Sequence, residues 1–340
     1  MKRLFAPSSL IIAGLALAAL VLALVIVPSS VVGSNEYIFL PDRAHPVAPL
    51  VTFPGSHDPT KGGVYFVDVI VRKATVLERI FGGLHKGADL YPANAINPPG
   101  VNDQQRQRID LQDMQRSQQV AAAVALRAAG KNVVLQSAGA LIDAVEPGKP
   151  AVGKLEPDDV ITAVNGKPVQ TPGNVFAVMN KVAVGARVRF TVRRGKQTLV
   201  ESMKTAAADQ PPRRAVVGVF LEPALDIHLP FPVRIDAGNV GGPSAGLAFA
   251  LEVLEETGHD VLRGHKVAAT GELRPDGSVL PIGGIKQKTI GARQAGVDAF
   301  LVPAGDNARE ARANADGLRI IPVKTFPQAL RALATLGPSA

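Results

Sequence analysis

From Ala215 to the C-terminus the sequence alternates strand-forming and helix-forming segments, and two of its helices open on glycine pairs. The spacing predicts strands over 215–221, 266–273, 278–282, 298–302 and 318–322, and helices over 244–257, 284–296, 306–316 and 325–336. Alternation of this kind gives each helix an apolar stripe that a sheet can cover, which restricts the segment to a layered α/β or α+β domain. Between the second and third strands, Arg274-Pro-Asp-Gly277 is turn chemistry, so those two form a hairpin.

Upstream the character changes twice. Lys2 and Arg3 precede Leu10–Val27, which carries no charge. At 1.5 Å per residue that stretch spans about 27 Å, near a hydrocarbon core of roughly 30 Å. It is longer than the apolar region of a secretory signal, and no A-x-A site follows it, so it reads as an uncleaved transmembrane helix. The basic pair favours a cytoplasmic N-terminus with the remainder outside it, which in a bacterium means the outer face of the plasma membrane. Residues 1–30 are thus expected to be a cytoplasmic tip and anchor, and 31–61, rich in Pro and Gly, a stalk or linker. Val64–Val71 is β-branched and aromatic and predicts a strand buried on both faces, while Asp110–Ala129 predicts a long helix stopped by Gly130.

From 131 to 206 short strands and turns dominate. Ile142–Val145, Val160–Val164, Arg187–Val192 and Gln197–Met203 read as strands, Asn165-Gly166 as a hairpin turn and Val175–Lys181 as a helix. The string VEPGKPAVGKLEPDDVITAVNGKPV (Val145–Val169), with VGARVRFTVRRG (Val184–Gly195), resembles a PDZ domain of the bacterial type. That resemblance implies a module that adds an extended peptide to a sheet edge and grips its carboxylate with backbone amides. The carboxylate loop is expected near Gln136–Ala140, and 207–214 reads as a linker.

Composition removes several chemistries. The chain has no Cys, which excludes disulfides, thiolate zinc sites, iron–sulfur clusters and a cysteine nucleophile. Its 6 His are scattered and form no H-E-x-x-H pair, so neither a metal nor a cofactor is expected. The net charge of +8 is spread along the chain, with no Trp and only 3 Tyr, so nucleic acid is not an expected partner.

Chemistry concentrates at the two glycine-led helix starts. Gly241 and Gly242 in Gly241-Gly-Pro-Ser-Ala-Gly246 let another backbone approach, and Ser244 falls at a helix mouth whose free N–H groups favour an oxyanion. An ordinary N-cap is the competing role for this serine. Gly242-x-Ser-x-Gly246 also fits the nucleophile-elbow pattern, but no Asp…His pair with the required spacing follows it. A lysine can replace the histidine when its amine is desolvated. In Pro281-Ile-Gly-Gly-Ile-Lys-Gln-Lys-Thr289, helical geometry separates two candidates. With Ile285 at zero, Ala292, Lys288 and Ala295 fall at about 340°, 300° and 280°, whereas Lys286 falls near 100° beside Arg293. Lys288 therefore joins the small or apolar stripe and Lys286 faces water; a snorkelling stem is the competing role for Lys288.

GGPSAG, then ATGEL, then VLPIGGIKQKTIGARQAGVDAFLVP resemble, in order and spacing over about 235–303, the proteolytic domain of Lon proteases. The resemblance implies a Ser–Lys dyad, Ser244 and Lys288, with Thr270 near the amine and Gly241 and Gly242 supporting the serine. Two departures accompany it. No G-x-x-x-x-G-K-[ST] element occurs, so cleavage is expected to be ATP-independent, and Ala237–Val240 lacks the acidic residue often found there in ATP-dependent Lon.

The whole layout resembles membrane-anchored, PDZ-containing Lon-like proteases, and the expected fold class is α+β: an N-terminal transmembrane helix, then a Lon-type α/β domain with a PDZ-like β-rich domain inserted. On that scheme 62–130 is the N-terminal part of the protease domain, 131–206 the inserted module and 215–340 the part carrying the dyad. The expected partners are protein or peptide substrates, recruited or gated by the PDZ-like module, and a membrane through the N-terminal helix. The family resemblance also implies a homo-oligomer, a hexameric ring. The competing function is a non-catalytic, membrane-tethered PDZ adaptor with a degenerate Lon-like body.

Overall fold

The computed structural model describes residues 35–56, 62–81, 83–97, 101–211 and 213–337. Two sheets organise them. The first runs through β1 (Glu36–Pro46), β2 (Gly63–Lys73) and β3 (Asp89–Pro92) and is completed far along the chain by β9 (Lys266–Ala269), β12 (Ala299–Pro303) and β13 (Arg319–Val323). Its order is β13-β12-β9-β2-β1-β3. The β9, β12 and β13 strands and β2 are parallel neighbours, whereas β1 pairs antiparallel with β2 and β3.

Period-two alternation sorts this sheet's side chains between two layers. Val64 and Phe66 of β2, Val267 and Ala269 of β9, and Ala299 and Leu301 of β12 enter one core; Val67, Ala268, Phe300 and Val302 enter the other. Strands buried on both faces are the mark of parallel sheets covered by helices. The first face is covered by α2 (Asp103–Ala128), α4 (Gly246–Glu256) and α7 (Phe326–Ala334), the second by α5 (Ile285–Gln294) and α6 (Asp306–Ala313). Helix α2 starts earlier than the periodicity predicts because Asn102 and Gln105 form a capping box. It stops where Gly130 takes a positive φ of 73°.

The second sheet holds β4 (Val134–Val145), β5 (Val160–Val164), β6 (Arg187–Arg194), β7 (Gln197–Lys204) and β8 (Val219–His228) in the order β8-β4-β5-β6-β7. All its pairs are antiparallel. With α3 (Pro172–Met179) it encloses a core of its own around Ile142, Ile161, Val175, Phe190 and Val192. The hairpin around Arg274–Gly277 pairs β10 (Glu272–Leu273) with β11 (Val279–Leu280).

Three expectations need restating. The fold class is corrected: among the described residues no helix is long and apolar enough to cross a membrane, and Leu10–Val27, on which the transmembrane helix was placed, lies outside the described residues. What stands is a mixed α/β architecture built on two principal sheets. The expected plasma-membrane location rests on that same undescribed stretch. Where the Pro-rich segment 31–61 reads as a stalk, the structure has β1; proline's fixed φ suits extended backbone, and Pro41 and Pro46 sit beside a bulge and at the strand end. The strand expected over 215–221 lies instead mainly over 219–228 and pairs with β4. Its sheet membership was hidden because pairing partners far apart in sequence leave no local signal.

Candidate active site

Each glycine-led segment delivers one side chain to a shared cavity. Pro243–Ala245 forms a single 3-10 turn that leads into α4, and Gly242 before it holds φ 83°, ψ 155°, a conformation only glycine adopts without strain. Helix α2 grips this turn from the side. The Gly242 N–H donates to the Asp110 carbonyl at 2.7 Å, and the Ser117 hydroxyl donates to the Pro243 carbonyl at 2.9 Å. A Cβ on Gly241 would stand 2.7 Å from the Asp110 Cβ, and one on Gly246 would stand 2.8 Å from the Ser117 Oγ. Both glycines are therefore required by close approach.

Gly284, at φ 67°, starts α5. The helix buries Ile285, Lys288 and Ala292 of the expected stripe, but it buries Gln287, Thr289, Ile290 and Gly291 as well, so it is enclosed on more than one face. Lys286 on another face pairs with Asp89 at 2.7 Å and is only partly exposed, so it meets a carboxylate where the wheel leaves it facing water.

The Lys288 Nζ lies 2.6 Å from the Ser244 Oγ and 3.4 Å from the Thr270 Oγ1. Thr270 is fully buried, and its hydroxyl donates to the Ser244 carbonyl at 3.1 Å, beside the Gly271 N–H at 2.8 Å. The serine is thus held through its own backbone while its hydroxyl meets the amine. Lys288 is 4% exposed. Burial pushes its amine down to about 8, and the Asp68 carboxylate pulls in the opposite direction. Asp68 itself is pushed up, first by burial and then by neighbouring Asp42. An amine near neutrality in contact with a hydroxyl can accept its proton; a fully charged lysine cannot.

The cavity measures about 700 Å³ and is lined by Ser244, Lys288, Asp68, Asp110, Arg106, Glu272 and residues 239–243, among others. Asp68, Asp110 and Ser117 escaped the sequence reading. Asp68 alone left a trace, as the one charge inside the apolar strand Val64–Val71. Asp110 brings a carboxylate to a loop whose own sequence, Ala237–Val240, has none.

Residues 152–334 match the model of the Lon protease (S16) C-terminal proteolytic domain, more than half of the chain. The chain belongs to that family. Residues 109–193 match the PDZ domain. Among curated proteins, the Lon protease of Azorhizobium caulinodans is 34% identical over 188 residues, 52% of this chain and 21% of that protein. The Lon protease of Rhizobium meliloti is 32% identical over 187 residues, 52% of this chain and 22% of that protein. Lon protease 2 of Bacillus subtilis is 38% identical over 105 residues, 31% of this chain and 18% of that protein. The chain spans about a fifth of the length of these relatives. The PDZ domain of an SdrC-like protein from Listeria monocytogenes overlays 24% of this chain and 86% of its own at 22% identity, with a TM-score of 0.23. The chain therefore carries a serine-protease domain of the Lon type together with a PDZ domain.

Helix α2 also reaches the segment that leads into β5. Arg116, next to Ser117, pairs with Asp113 at 2.5 Å and with Asp158 of the PDZ-like module. Gln136–Ala140, expected to hold a peptide carboxylate, is taken up in the β4–β8 pairing. An apolar groove of about 280 Å³ lies elsewhere, between α3 (Val175, Phe176, Met179) and the Ala215–Leu221 segment. Val216-Val-Gly-Val219, with Gly218 at φ 80°, is the segment the sequence reading passed over as the start of a protease strand.

Proposed function

We propose that the chain is a serine endopeptidase in which Ser244 is the nucleophile and Lys288 the general base. Neutral Lys288 takes the Ser244 proton as the hydroxyl attacks a peptide carbonyl and gives it to the leaving amine; water then repeats the cycle on the acyl-enzyme. Backbone N–H groups at the serine turn hold the oxyanion, and Thr270 orients the amine and the serine backbone. The observation that carries this reading is the 2.6 Å contact between a buried amine and the serine hydroxyl.

The substrates are extended or unfolded protein segments, since the cavity is open and large enough, at about 700 Å³, to take several side chains of a peptide. Cleavage is ATP-independent in this chain, whose sequence contains no phosphate-binding glycine loop. The proposed domain division places 62–130 with 215–340 in one protease body; the parallel pairing of β2 with β9 supports it. The groove beside Ala215–Leu221 recruits or gates substrate by accepting an extended peptide. The dyad contact is also what disfavours an adaptor with a degenerate body.

Replacement of Ser244 or Lys288 by Ala is expected to lower turnover of an unfolded protein substrate by at least about a thousandfold, with circular dichroism unchanged. Turnover within tenfold of the parent in either variant overturns the mechanism.

A further inference from the structure

β1 and β2 lose register between Pro41 and Ala44, so that Asp42 and Arg43 form a bulge, with Asp68 on the strand opposite. Three potential ligand atoms converge there. The His45 Nε2 lies 3.6 Å from the Asp42 Oδ2 and 3.5 Å from the Asp68 Oδ1, and all three fall within 4.8 Å of one another. These separations exceed the roughly 2.7–3.2 Å of a hydrogen bond. The His45 Nε2 and Asp68 Oδ1 are nevertheless shut off from solvent and have no hydrogen-bond partner. Two atoms bound about 2.1 Å from one tetrahedral ion stand about 3.4 Å apart. The gap has the dimensions of a coordination sphere, and an orphaned buried acceptor facing an imidazole nitrogen is what such a sphere would satisfy.

The ligands are also held in place. The His45 ring stacks on Phe66 with centroids 5.1 Å apart and planes at 25°. The bulge is pressed against α5, where Gly291 lies so close that any Cβ would overlap the Asp42 carbonyl. Part of the His45 ring stays exposed, which leaves a path for an ion and room for a water ligand.

We propose that Asp42, His45 and Asp68 bind one divalent transition-metal ion, Zn²⁺ foremost given one imidazole and two carboxylates. The ion stands behind the wall of the catalytic cavity, since Asp68 lines that cavity too. It ties the bulge of β1 to β2 and so braces the strand pair on which α5 rests.

The test uses the whole chain, freed of metal by chelation and dialysis and titrated with ZnCl₂ in a calorimeter. The expected result is saturable one-to-one binding and a melting temperature raised by several degrees at a hundredfold excess over Kd. His45→Ala is expected to weaken binding at least tenfold, and Asp42→Asn to do the same should His45→Ala lose its circular dichroism spectrum. Absence of saturable binding overturns the proposal and leaves an imidazolium held between two carboxylates. Affinity unchanged in a folded variant also overturns it and assigns the heat to other histidines.

Discussion

The two glycine-led helix starts do the same job by opposite means. At α5 the lysine is placed by its own helix: Lys288 shares a stripe with Ile285 and Ala292 in a helix buried along most of its length, and packing that helix buries the amine. At the serine turn the local glycines are not enough. Its geometry depends on α2, which grips it through the Asp110 carbonyl and the Ser117 hydroxyl. One half of the site is set by periodicity, the other by a contact between residues more than a hundred positions apart. Substitutions should therefore be tolerated very differently at Gly246, in the serine turn, and at Gly283, before α5.

The largest effects test the lysine's charge state. Lys288→Arg keeps a cation but offers no base, because a guanidinium stays protonated throughout the working pH range. Peptidase turnover should fall about a thousandfold, and near-parental turnover would leave the buried stripe without a chemical purpose. With the Lys288 amine at about 8, kcat/KM in the parent should rise about tenfold per pH unit below 8 and level off above it. A flat profile between pH 6 and 9 contradicts the assignment. Stability moves with the same group. Between about 8 and the ordinary 10.5 the unfolded chain holds a proton that the folded one has released, so folding gains stability as pH rises through that window. Lys288→Met should accordingly melt higher than the parent at pH 7, an advantage that shrinks by pH 10.

Next come the close approaches. Gly246→Ala pushes a methyl group into Ser117 and Leu273 and should cut kcat about a hundredfold with KM little changed, because sub-ångström displacement of a nucleophile is costly. Ser117→Ala, which loses one hydrogen bond, should cost about tenfold. By contrast Gly283, before α5, has open space where a Cβ would go, and Gly283→Ala should leave kcat within about threefold. Equal losses at Gly246 and Gly283 would erase the distinction between the two entrances. The smallest effect belongs to the PDZ-like groove: Phe176→Asp should raise KM several-fold for protein substrates and leave short peptides unaffected, a difference read by comparing the two substrate classes.

What the sequence disclosed follows the same division. The helices around Lys288 and after Ser244 were legible because their apolar spacing and glycines are local properties, and the wheel singles out Lys288 over Lys286. The hairpin around Arg274–Gly277 was legible from turn chemistry. Asp68 and Asp110 were not, because their relevance comes from which strand or helix packs on the cavity. The stretch 215–221 was misplaced for a related reason: Ala215–Leu221 borders the groove and β8 joins the PDZ-like sheet, although composition alone marks only an apolar strand. Local patterns name elements; pairing over long distances decides which site they build.

The parallel contact of β2 with β9, register partners Val64 and Val267, has a consequence for how the chain is made. A ribosome releases β2 and α2 long before β9 exists, so the nascent first half waits with an unpaired edge and an uncovered apolar helix face. The intervening module has a separate core and can fold in the meantime, bringing the two ends of its segment near each other. Closure of the main sheet is then a late, slow event of biogenesis, and the Ser244 turn, fastened to α2, is completed only after β9 has been made.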